Sequence, residues 1–485
     1  QVTPRRTPTP PAESASAGTP PDMAVAGEIT VRERIQFASG DFFVGGGASL
    51  LSVLYLIFLT DVVKLAPGLA GTAVLVAKLW DAVNDPLTGS ISDRVRTRWG
   101  RRRPFIFVGA LLLVPVMALF WLPDPPPASQ VGLAVWAALT YIAYNTVQTV
   151  VSVPYSSLST EVSADFDQRN KVNVLRLLFS TVASAGTTLL AARLFEDYRH
   201  GRLELGELYL VIVLGFGGVF ALIMLGVALF TRERVPAPAR VEPFTLAGFL
   251  APLRLSPYRR LLGMYLCQAL AFDVITATVM YYTLYVVTGV SSQVLLGIFI
   301  AVNVLAFPVV NVLVGRVDKH RIYRTLLPIA VAMVFVVALF PRGANPVLLY
   351  AATVVMAVGF VGAQLMSWVM FPDVLDAAEL ATGQRNAGGF TGLMTFIRGL
   401  ATALTIQLVA LVLQLTGYRA PVGIEVVAQH EAVQWGIRLT LLVAVAVLLS
   451  LGWWIARRYP LTLARCRAMQ DELAARRGGA PASVG

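Results

Sequence analysis

The sequence predicts an all-α membrane protein with twelve transmembrane helices arranged in two halves of six. Composition is the first reason, because 56% of the 485 residues are hydrophobic and only 14% are charged. An average soluble protein carries about 25% charged residues. The second reason is that twelve apolar stretches approach the roughly 20 residues needed to span a bilayer. The third is one long polar stretch, 232–259, which divides these stretches six and six.

The predicted spans follow one another through short connections. They lie near residues 38–60, 68–91, 104–122, 130–157, 172–194, 206–231, 260–288, 292–315, 322–340, 345–370, 386–415 and 434–456. Residues 31–231 therefore form a predicted N-terminal half, and residues 260–457 form a predicted C-terminal half. The Pro- and Arg-rich stretch 232–259 is a predicted central cytoplasmic loop. Two membrane halves joined in this way are typical of secondary transporters.

Two terminal segments fall outside the predicted halves. Residues 1–30 carry six prolines among Ser, Ala and Thr, and such a segment buries too little apolar surface to order itself. We therefore predict a disordered cytoplasmic tail, and the segment has no apolar stretch of the signal-peptide type. Residues 458–485 form a predicted cytoplasmic C-terminal tail.

Basic residues predict the orientation of the chain. With a cytoplasmic N-terminus, five of the 39 Lys and Arg residues fall in predicted outer loops, namely Lys64, Arg199, Arg202, Arg342 and Arg419. Because Lys and Arg accumulate in cytoplasmic loops, we expect a multi-pass plasma-membrane protein with both termini in the cytoplasm. In a bacterium this is the inner membrane. The net charge of +11 then reflects topology and attraction to anionic lipid headgroups rather than binding to nucleic acid.

Three charged residues lie within the second predicted span. Lys78, Asp81 and Asp85 are spaced i, i+3 and i+7, so they share one face of a helix. Each charge at membrane depth costs roughly 2.5–3.5 kcal/mol. Two carboxylates and one ammonium leave one negative charge, as expected of a monovalent-cation site. Pro86 cannot donate to the carbonyl of Ala82, which leaves that oxygen as a further ligand or as the origin of a kink. A salt bridge that holds no ligand is the alternative.

Further charged residues fall within other predicted spans. Asp41, near the start of span 1, is either a helix-end charge that reaches the lipid headgroups or a functional acid. Asp273 lies deeper, in span 7, and we expect it to face a central cavity. Arg398 lies deep in span 11 and needs a counter-charge, for which Asp81 or Asp85 is the expected partner.

Several polar and aromatic side chains in the spans are suited to stack on a polyol or to form hydrogen bonds with it. Gln364 and Trp368 are the candidates that we take forward for substrate binding. The others are Trp80, Asn145, Gln148 and Asn303. For each of them alone, helix–helix packing is the commoner role.

The sequence gives no indication of an enzyme. No nucleotide-binding loop, metal cluster or nucleophile–base pair is found at membrane depth, so we expect no cofactor apart from a coupling ion, Na+ or H+. Cys267 and Cys466 lie far apart in unlike settings and suggest neither a disulfide nor a metal site. The expected partners are a small-molecule substrate, a monovalent cation and the lipid bilayer, and we expect a monomer.

The loop between spans 2 and 3 carries a specific motif. Gly89, Asp93 and Arg94 form a Gly-x-x-x-Asp-Arg pattern, and Gly100 and Arg101 follow it. This pattern resembles the loop 2–3 signature of the major facilitator superfamily. The resemblance implies the two-half fold of that superfamily and a gating role for the loop. From the residues alone, Asp93 either caps the next structure or pairs with an arginine across the two halves. A stop-transfer cluster would explain the arginines but not the glycine and aspartate.

A longer resemblance covers nearly the whole chain apart from its two ends. The stretch Trp-Asp-Ala-x-Asn-Asp-Pro, which begins at Trp80, resembles the glycoside–pentoside–hexuronide:cation symporter family of the melibiose permease type. That resemblance implies that Asp81 and Asp85 are cation ligands. It also implies supporting roles for Lys78 and Arg398. Further family matches are Gly40-Asp41-Phe42, Thr60-Asp61-Val62, Val153-Pro154-Tyr155-Ser156, Arg176 in span 5 and Pro372-Asp373-Val374-Leu375-Asp376.

The chain departs from melibiose permease at the sugar site. The sugar-binding carboxylate of span 1 falls on Gly45, the carboxylate of span 4 on Ser152, and the aromatic platform on Ser156. Many family members share these departures, so a sugar remains compatible with them. Ser152, Ser156, Arg176, Asp41 and Asp273 join Gln364 and Trp368 as candidate substrate-binding residues.

The sequence therefore leaves two transport functions and one non-transport function as hypotheses. The first is symport of a sugar, glycoside or related small polar solute with Na+ or H+. The second is sodium-coupled transport of a lysophospholipid, since relatives with that activity keep the Trp-Asp-Ala segment. The third is a non-transporting membrane scaffold or sensor, against which the intramembrane charges argue.

Overall fold

A computed structural model describes most of the chain. The described residues are 29–126, 128–159, 162, 166–233, 246–287, 289–313, 316–383, 387–421 and 428–478. Most of the predicted N-terminal tail, the middle of the predicted central loop and the end of the C-terminal tail lie outside them. Within these ranges the structure is helical, and its one bridge between extended residues joins Thr97 to Gly100. The prediction of an all-α membrane protein is confirmed.

Twelve long helices correspond to the twelve predicted spans in the described ranges. They are α1 (41–62), α2 (Pro67–Arg94), α3 (Arg103–Phe120), α4 (Gln130–Leu158), α5 (Phe166–Arg199), α6 (Leu205–Phe230), α7 (Ser256–Val286), α8 (Ser292–Leu313), α9 (Lys319–Ala338), α10 (Pro346–Val369), α11 (Ala387–Leu415) and α12 (Glu431–Arg457). Nine helices of the described chain are long and apolar enough to cross a membrane. Of the twelve, α2, α4 and α8 are the other three.

Shorter helices flank the spans. They are Val31–Ala38 before α1, Leu246–Leu250 before α7, Phe371–Thr382 after α10 and Leu463–Gly478 after α12. The last of these belongs to the predicted C-terminal tail, and its Leu463 N–H donates to Asp318 at the start of α9 (2.8 Å). This helix is therefore attached to the end of the C-terminal half.

Local sequence explains where several long helices begin. Pro67 and Pro346 stand in the first turns of α2 and α10, where a missing N–H is not needed and the fixed φ suits a helix. Ser129 and Asn345 cap α4 and α10, because their side chains accept hydrogen bonds from the N–H groups of the first turn. The predicted span boundaries therefore lie within a few residues of the observed helix ends.

The helices pack as two groups, and the main helix contacts between these groups are three among the described residues. In the N-terminal half α2 packs on α4, α3 on α4 and α6, and α1 on α5. In the C-terminal half α9 packs on α10, and α7 packs on α11 and α12. The halves meet where α2 contacts α11, α5 contacts α8, and the Leu51–Tyr55 turn of α1 contacts α7.

The close packing of α9 on α10 can be tested by substituting one glycine at their contact. A Cβ atom at Gly359 of α10 would lie 2.4 Å from the backbone nitrogen of Ala330 in α9. We expect Gly359→Leu to lower the melting temperature of the purified protein, because forced overpacking costs about 1–3 kcal/mol. Thermal unfolding in detergent measures this. The control is Gly392→Leu, since the described structure leaves open space at that position. Equal melting temperatures for the two variants would contradict the α9–α10 contact.

Candidate functional site

Lys78, Asp81 and Asp85, which we call the charged stripe, lie on α2 beside α4. The Lys78 ammonium donates to the Asp81 carboxylate at 3.0 Å and lies 5.6 Å from the ring centre of Tyr141. One turn further along, the Thr149 hydroxyl donates to Asp85 at 2.8 Å. The structure therefore brings the two predicted cation ligands and their supporting lysine together, and residues of α4 contact both ends of the stripe.

The charged stripe lies on the side of α2 away from an exposed apolar row. Leu79, Val83 and Leu87 are 50–58% exposed and recur every four residues along one face. At about 100° per residue, this face is opposite the stripe. The side chains of Lys78 and Asp81 are 22% and 24% exposed, so they are neither fully enclosed nor on the apolar surface.

The position of the stripe relative to the other half follows from the glycines of α2. Near the start of α2, Gly71 lies against Gln407 of α11, in the other half. On a different face, the Ala77 carbonyl accepts a hydrogen bond from the Asn145 amide of α4 (3.1 Å). Helical periodicity places the stripe between these two faces. It therefore borders the space between α4 and the C-terminal half.

Asp41 forms a buried ion pair in the N-terminal half. Its carboxylate accepts from the Arg176 guanidinium of α5 at 2.6 Å and from the Tyr155 hydroxyl of α4 at 2.8 Å. The guanidinium also lies over the Tyr155 ring, 4.6 Å from its centre. Asp41 is only 6% exposed. The alternative in which Asp41 is a helix-end charge that reaches the headgroups is therefore wrong.

Arg398 pairs within its own half. Its two terminal nitrogens donate to the two carboxylate oxygens of Asp273 on α7, at 2.6 and 2.7 Å. The expected partner, Asp81 or Asp85 across the halves, is not the one observed. The physical reason is that Asp273 matches the guanidinium fork with two parallel hydrogen bonds, the strongest geometry for this pair. We expected Asp273 to face a central cavity. In the structure it is a largely buried carboxylate whose charge is neutralised by Arg398.

The remaining candidate substrate residues occupy different surroundings. Trp368 of α10 is 51% exposed and lies edge-to-face on Tyr265, with 5.5 Å between ring centres. The Gln364 carbonyl, one turn earlier, is buried and has no hydrogen-bond partner among the described residues. Ser156 of α4 is exposed and Ser152 is half-buried.

The structure gives a reason for the glycine at the position of the missing span-1 carboxylate. A Cβ atom at Gly45 would lie 2.5 Å from the backbone oxygen of Ser180 in α5. One turn along, the hydroxyls of Ser49 and Ser184 form a hydrogen bond of 2.6 Å. Because α1 and α5 approach so closely, no side chain fits at position 45.

The predicted gating loop is fixed to its own half by a residue that the sequence analysis did not identify. Glu233 accepts the backbone N–H groups of Arg101 and Arg102 at 2.9 Å each. Gly100 has a φ of +101°, and a Cβ there would lie 2.4 Å from the Glu233 carboxylate. The glycine of the motif is therefore required by this contact. The Asp93 side chain lies outside the described residues, Arg94 is the last residue of α2, and Gly89 lies in the last turns of that helix.

A second charged cluster, which we call the outer network, joins the halves at the predicted outer end. Arg199 of α5 pairs with Asp61 of α1 at 2.5 Å, and their side chains are 1% and 0% exposed. Asp61 also accepts from the hydroxyls of Tyr285 (2.6 Å) and Tyr418 in the C-terminal half. Burial and the Asp61 carboxylate both raise the pKa of Tyr418, which keeps this phenol a donor. Arg199 also donates to Tyr285 at 2.9 Å.

Further polar contacts reinforce this end of the molecule. The Glu196 carboxylate of α5 accepts from the hydroxyls of Ser291 and Ser292 at 2.6–3.1 Å. The Gln407 amide of α11 donates to Thr72 of α2 at 3.3 Å. These hydrogen bonds between the two halves all lie at the predicted outer end. From the sequence, Asp61 and Arg199 had no predicted role, because only the fold brings these two residues together.

Comparisons of this chain with known proteins find similarity to membrane transporters. The family model described as MFS/sugar transport protein matches residues 36–463. An uncharacterized symporter, sll1374, of Synechocystis sp. is 28% identical, over 91% of this chain and 96% of that protein. A putative glycoside/cation symporter, YagG, of Escherichia coli is 27% identical, over 92% and 95%.

Two more comparisons extend the range of similar proteins. The sodium-dependent lysophosphatidylcholine symporter 1-A of Danio rerio is 25% identical, over 89% of this chain and 86% of that protein. Among solved structures, a bacterial homolog to the human lysosomal transporter Spinster, inward-facing and unoccupied, superposes with a TM-score of 0.62. It is 14% identical and covers 91% of this chain and 97% of that one, so it supports the fold alone.

The outer network gives a stability prediction. We expect Asp61→Asn to lower the melting temperature strongly, because it leaves the Arg199 charge buried and unpaired, at a cost of about 3–5 kcal/mol. The matched control is Asp197→Asn, whose arginine partners are 50% and 52% exposed. Such surface pairs contribute about 0–1 kcal/mol. Thermal unfolding in detergent measures both, and similar small shifts would contradict a buried network.

Proposed function

Because the chain belongs to the MFS/sugar transport protein family, we propose that it is a cation-coupled symporter of a sugar, a glycoside or a related small polar solute. Family membership makes it a multi-pass membrane transporter and not an enzyme. The coupling ion in this proposal is Na+ or H+, and it binds at Asp81 and Asp85. The proposed orientation places both termini in the cytoplasm of a plasma-membrane monomer, as the distribution of basic residues favours.

The charged stripe is the observation that carries this proposal. Two carboxylates and one ammonium on one face of α2 leave a net charge of about −1 in a low-dielectric setting, where a monovalent cation restores neutrality. The stripe is opposite the exposed apolar row of α2, and the side chains of Lys78 and Asp81 are only 22% and 24% exposed. Asp85 is exposed but accepts a hydrogen bond from Thr149 of α4, so in our proposal the stripe borders the interior of the bundle rather than the acyl chains.

Coupling follows from neutralisation of the stripe. Closing the space between the halves around Asp81 and Asp85 removes water from an uncompensated charge, which costs free energy. A bound cation lowers this cost, and a bound substrate adds contacts that exist only when both halves surround it. Each ligand therefore favours the same closed state, which makes their binding cooperative and reciprocal.

The outer network supports alternating access as the mechanism. Its contacts hold α1 and α5 to α7 and to the segment after α11 at the predicted outer end. In our proposal this conformation is closed to the outside, and substrate exchanges on the cytoplasmic side. Movement to an outward-facing state must break the hydrogen bonds between Asp61 and the tyrosines of the other half.

The polar groups of both halves favour a small polar substrate. The Asp41–Arg176 pair lies in the N-terminal half and the Asp273–Arg398 pair in the C-terminal half. An exposed tryptophan such as Trp368 offers a face on which a sugar ring stacks. In the proposal, these residues and Gln364 contact the substrate, while the closed packing at Gly45 excludes a carboxylate of the melibiose permease type.

The second candidate function is sodium-coupled transport of a lysophospholipid. The similarity to a lysophosphatidylcholine symporter and the serines at positions 152 and 156 favour it. A slot between the halves that is open to lipid would strengthen it. One apolar cavity among the described residues lies inside the C-terminal half, near Ile275 and Phe299, and its volume of about 40 Å³ is too small for an acyl chain.

A ligand screen separates the two functions. We expect glycosides and sugars, including melibiose, xylose and a glucuronide, to raise the melting temperature of the purified protein, and more so in NaCl or at low pH. A ligand at 100 times its Kd stabilises by about 2.7 kcal/mol. Lysophosphatidylcholine is tested in parallel. Stabilisation by the lysolipid and by none of the sugars would decide for the second function.

The site assignment is tested by transport. We expect Asp81→Asn and Asp85→Asn each to abolish accumulation of the stabilising solute driven by an imposed Na+ or H+ gradient, because the stripe then has less negative charge to attract a cation. Uptake into proteoliposomes measures this. Asp197→Asn removes an acid outside the site and should leave accumulation intact. Gradient-driven accumulation that survives in both stripe variants would refute the assignment.

A further inference from the structure

We infer that Asn145 of α4 is a third ligand of the coupling cation and makes this site a sodium site. The inference rests on the proposed function, because it requires that a cation binds at Asp81 and Asp85. It adds a neutral amide oxygen from a second helix. Such an oxygen contributes to the coordination of Na+ but adds no charge that a proton would neutralise.

Two contacts fix the register between α2 and α4. Lys78 of the charged stripe lies beside Tyr141, and Asp85 is hydrogen-bonded to Thr149. The contacting residues of α4 are eight apart, and the contacting residues of α2 are seven apart. The two helices therefore run in the same direction, with matched turns along this interface.

The same register places Asp81 and Asn145 at one level of the α2–α4 interface. Asp81 follows Lys78 by three residues, and Asn145 follows Tyr141 by four, so each stands one turn further along its helix. The contact between Asn145 and Ala77 confirms this level, because Ala77 lies one turn before Asp81 on α2 and accepts from the Asn145 amide at 3.1 Å.

Asp81 and Asn145 each present a buried side-chain oxygen that has no hydrogen-bond donor among the described residues. Asp81 uses one carboxylate oxygen for Lys78, and its other oxygen is buried with no hydrogen-bond partner among the described residues. The carbonyl oxygen of the Asn145 side chain is buried in the same way, in a residue that is 1% exposed. A buried acceptor without a donor costs about 1–3 kcal/mol, and a carboxylate more.

The orientation of the Asn145 amide is fixed by its neighbour. Its nitrogen donates to the Ala77 carbonyl, and exchanging the nitrogen and oxygen would place two acceptors against each other. The side-chain oxygen must therefore point away from Ala77. Two acceptor oxygens at one level of the α2–α4 interface are stabilised by a positively charged ligand that both coordinate.

Sodium satisfies this arrangement better than a proton does. A proton on Asp81 would donate one hydrogen bond to the Asn145 oxygen. It would make no contact with Asp85, whose negative charge would remain. A Na+ ion takes several oxygens at once, here one from Asp81, one from Asn145 and one from Asp85. With Lys78 included, the charges of the occupied site sum to zero.

The experiment measures Na+ affinity directly and needs no substrate. The melting temperature of purified full-length protein is titrated with NaCl at constant ionic strength, with choline chloride as the balancing salt. Asn145→Leu removes the amide oxygen with little change of size, and Asn145→Asp restores an oxygen. Asn303→Leu is the matched control, because the Asn303 amide of α8 donates to its own helix, to the Phe299 carbonyl.

We expect Asn145→Leu to weaken Na+ binding roughly tenfold or more, as the loss of one oxygen that faces a charge predicts. Asn145→Asp should bind Na+ at least as tightly as the unchanged protein, and Asn303→Leu should bind it equally. An unchanged Na+ affinity in Asn145→Leu, with binding lost in Asp81→Asn, would overturn the role of Asn145 and leave the proposed function standing.

Other outcomes are equally decisive. Stabilisation of the unchanged protein by acid but not by NaCl would overturn the sodium assignment and identify a proton between Asp81 and Asn145. Na+ stabilisation that persists in both Asp81→Asn and Asp85→Asn would refute the proposed site itself. If Asn145→Leu unfolds, Asn145→Ser supplies a shorter oxygen, and a Na+ affinity equal to that of the unchanged protein would then count against direct coordination by the amide.

Discussion

Charges at membrane depth persist only where something neutralises them, and this constraint organises the protein. Each buried acid in the described spans has a basic partner that neutralises its charge. Asp41 has Arg176 and Tyr155, Asp273 has Arg398, and Asp61 is part of the outer network. The charged stripe differs, because its lysine satisfies only part of two carboxylates. In our proposal, the coupling ion binds where this neutralisation is incomplete.

The paired charges and the stripe have different physical tasks. Asp273 and Arg398 form a two-hydrogen-bond pair within one half, so they stiffen that half whatever the other half does. The outer network crosses between halves and depends on their relative position. A rocking motion of the halves leaves the first kind of contact intact and breaks the second. Intact bundles that move against each other are the physical basis of alternating access in such folds.

Sequence periodicity predicted the spans, the two halves and the stripe, because apolar length and i, i+3, i+7 spacing are local properties of a helix. It did not predict the partner of Arg398, since Asp273 is 125 residues away and only the packing of α11 on α7 brings the two together. Glu233 was missed for the same reason. A loop glutamate has no sequence pattern that reveals the backbone N–H groups of Arg101, Arg102 and Arg103, which all donate to it.

The sequence by itself determined the class of protein, the spans and the two carboxylates of the stripe, because composition and helical spacing need no knowledge of neighbours. Tertiary structure decided which helices meet. Only the packing of α2 on α4 places Asn145 against Ala77, one turn before Asp81, and only the close approach of α1 to α5 excludes a side chain at Gly45. Contacts between helices depend on three-dimensional packing, and the spacing of residues along the chain does not indicate which helix faces contact each other.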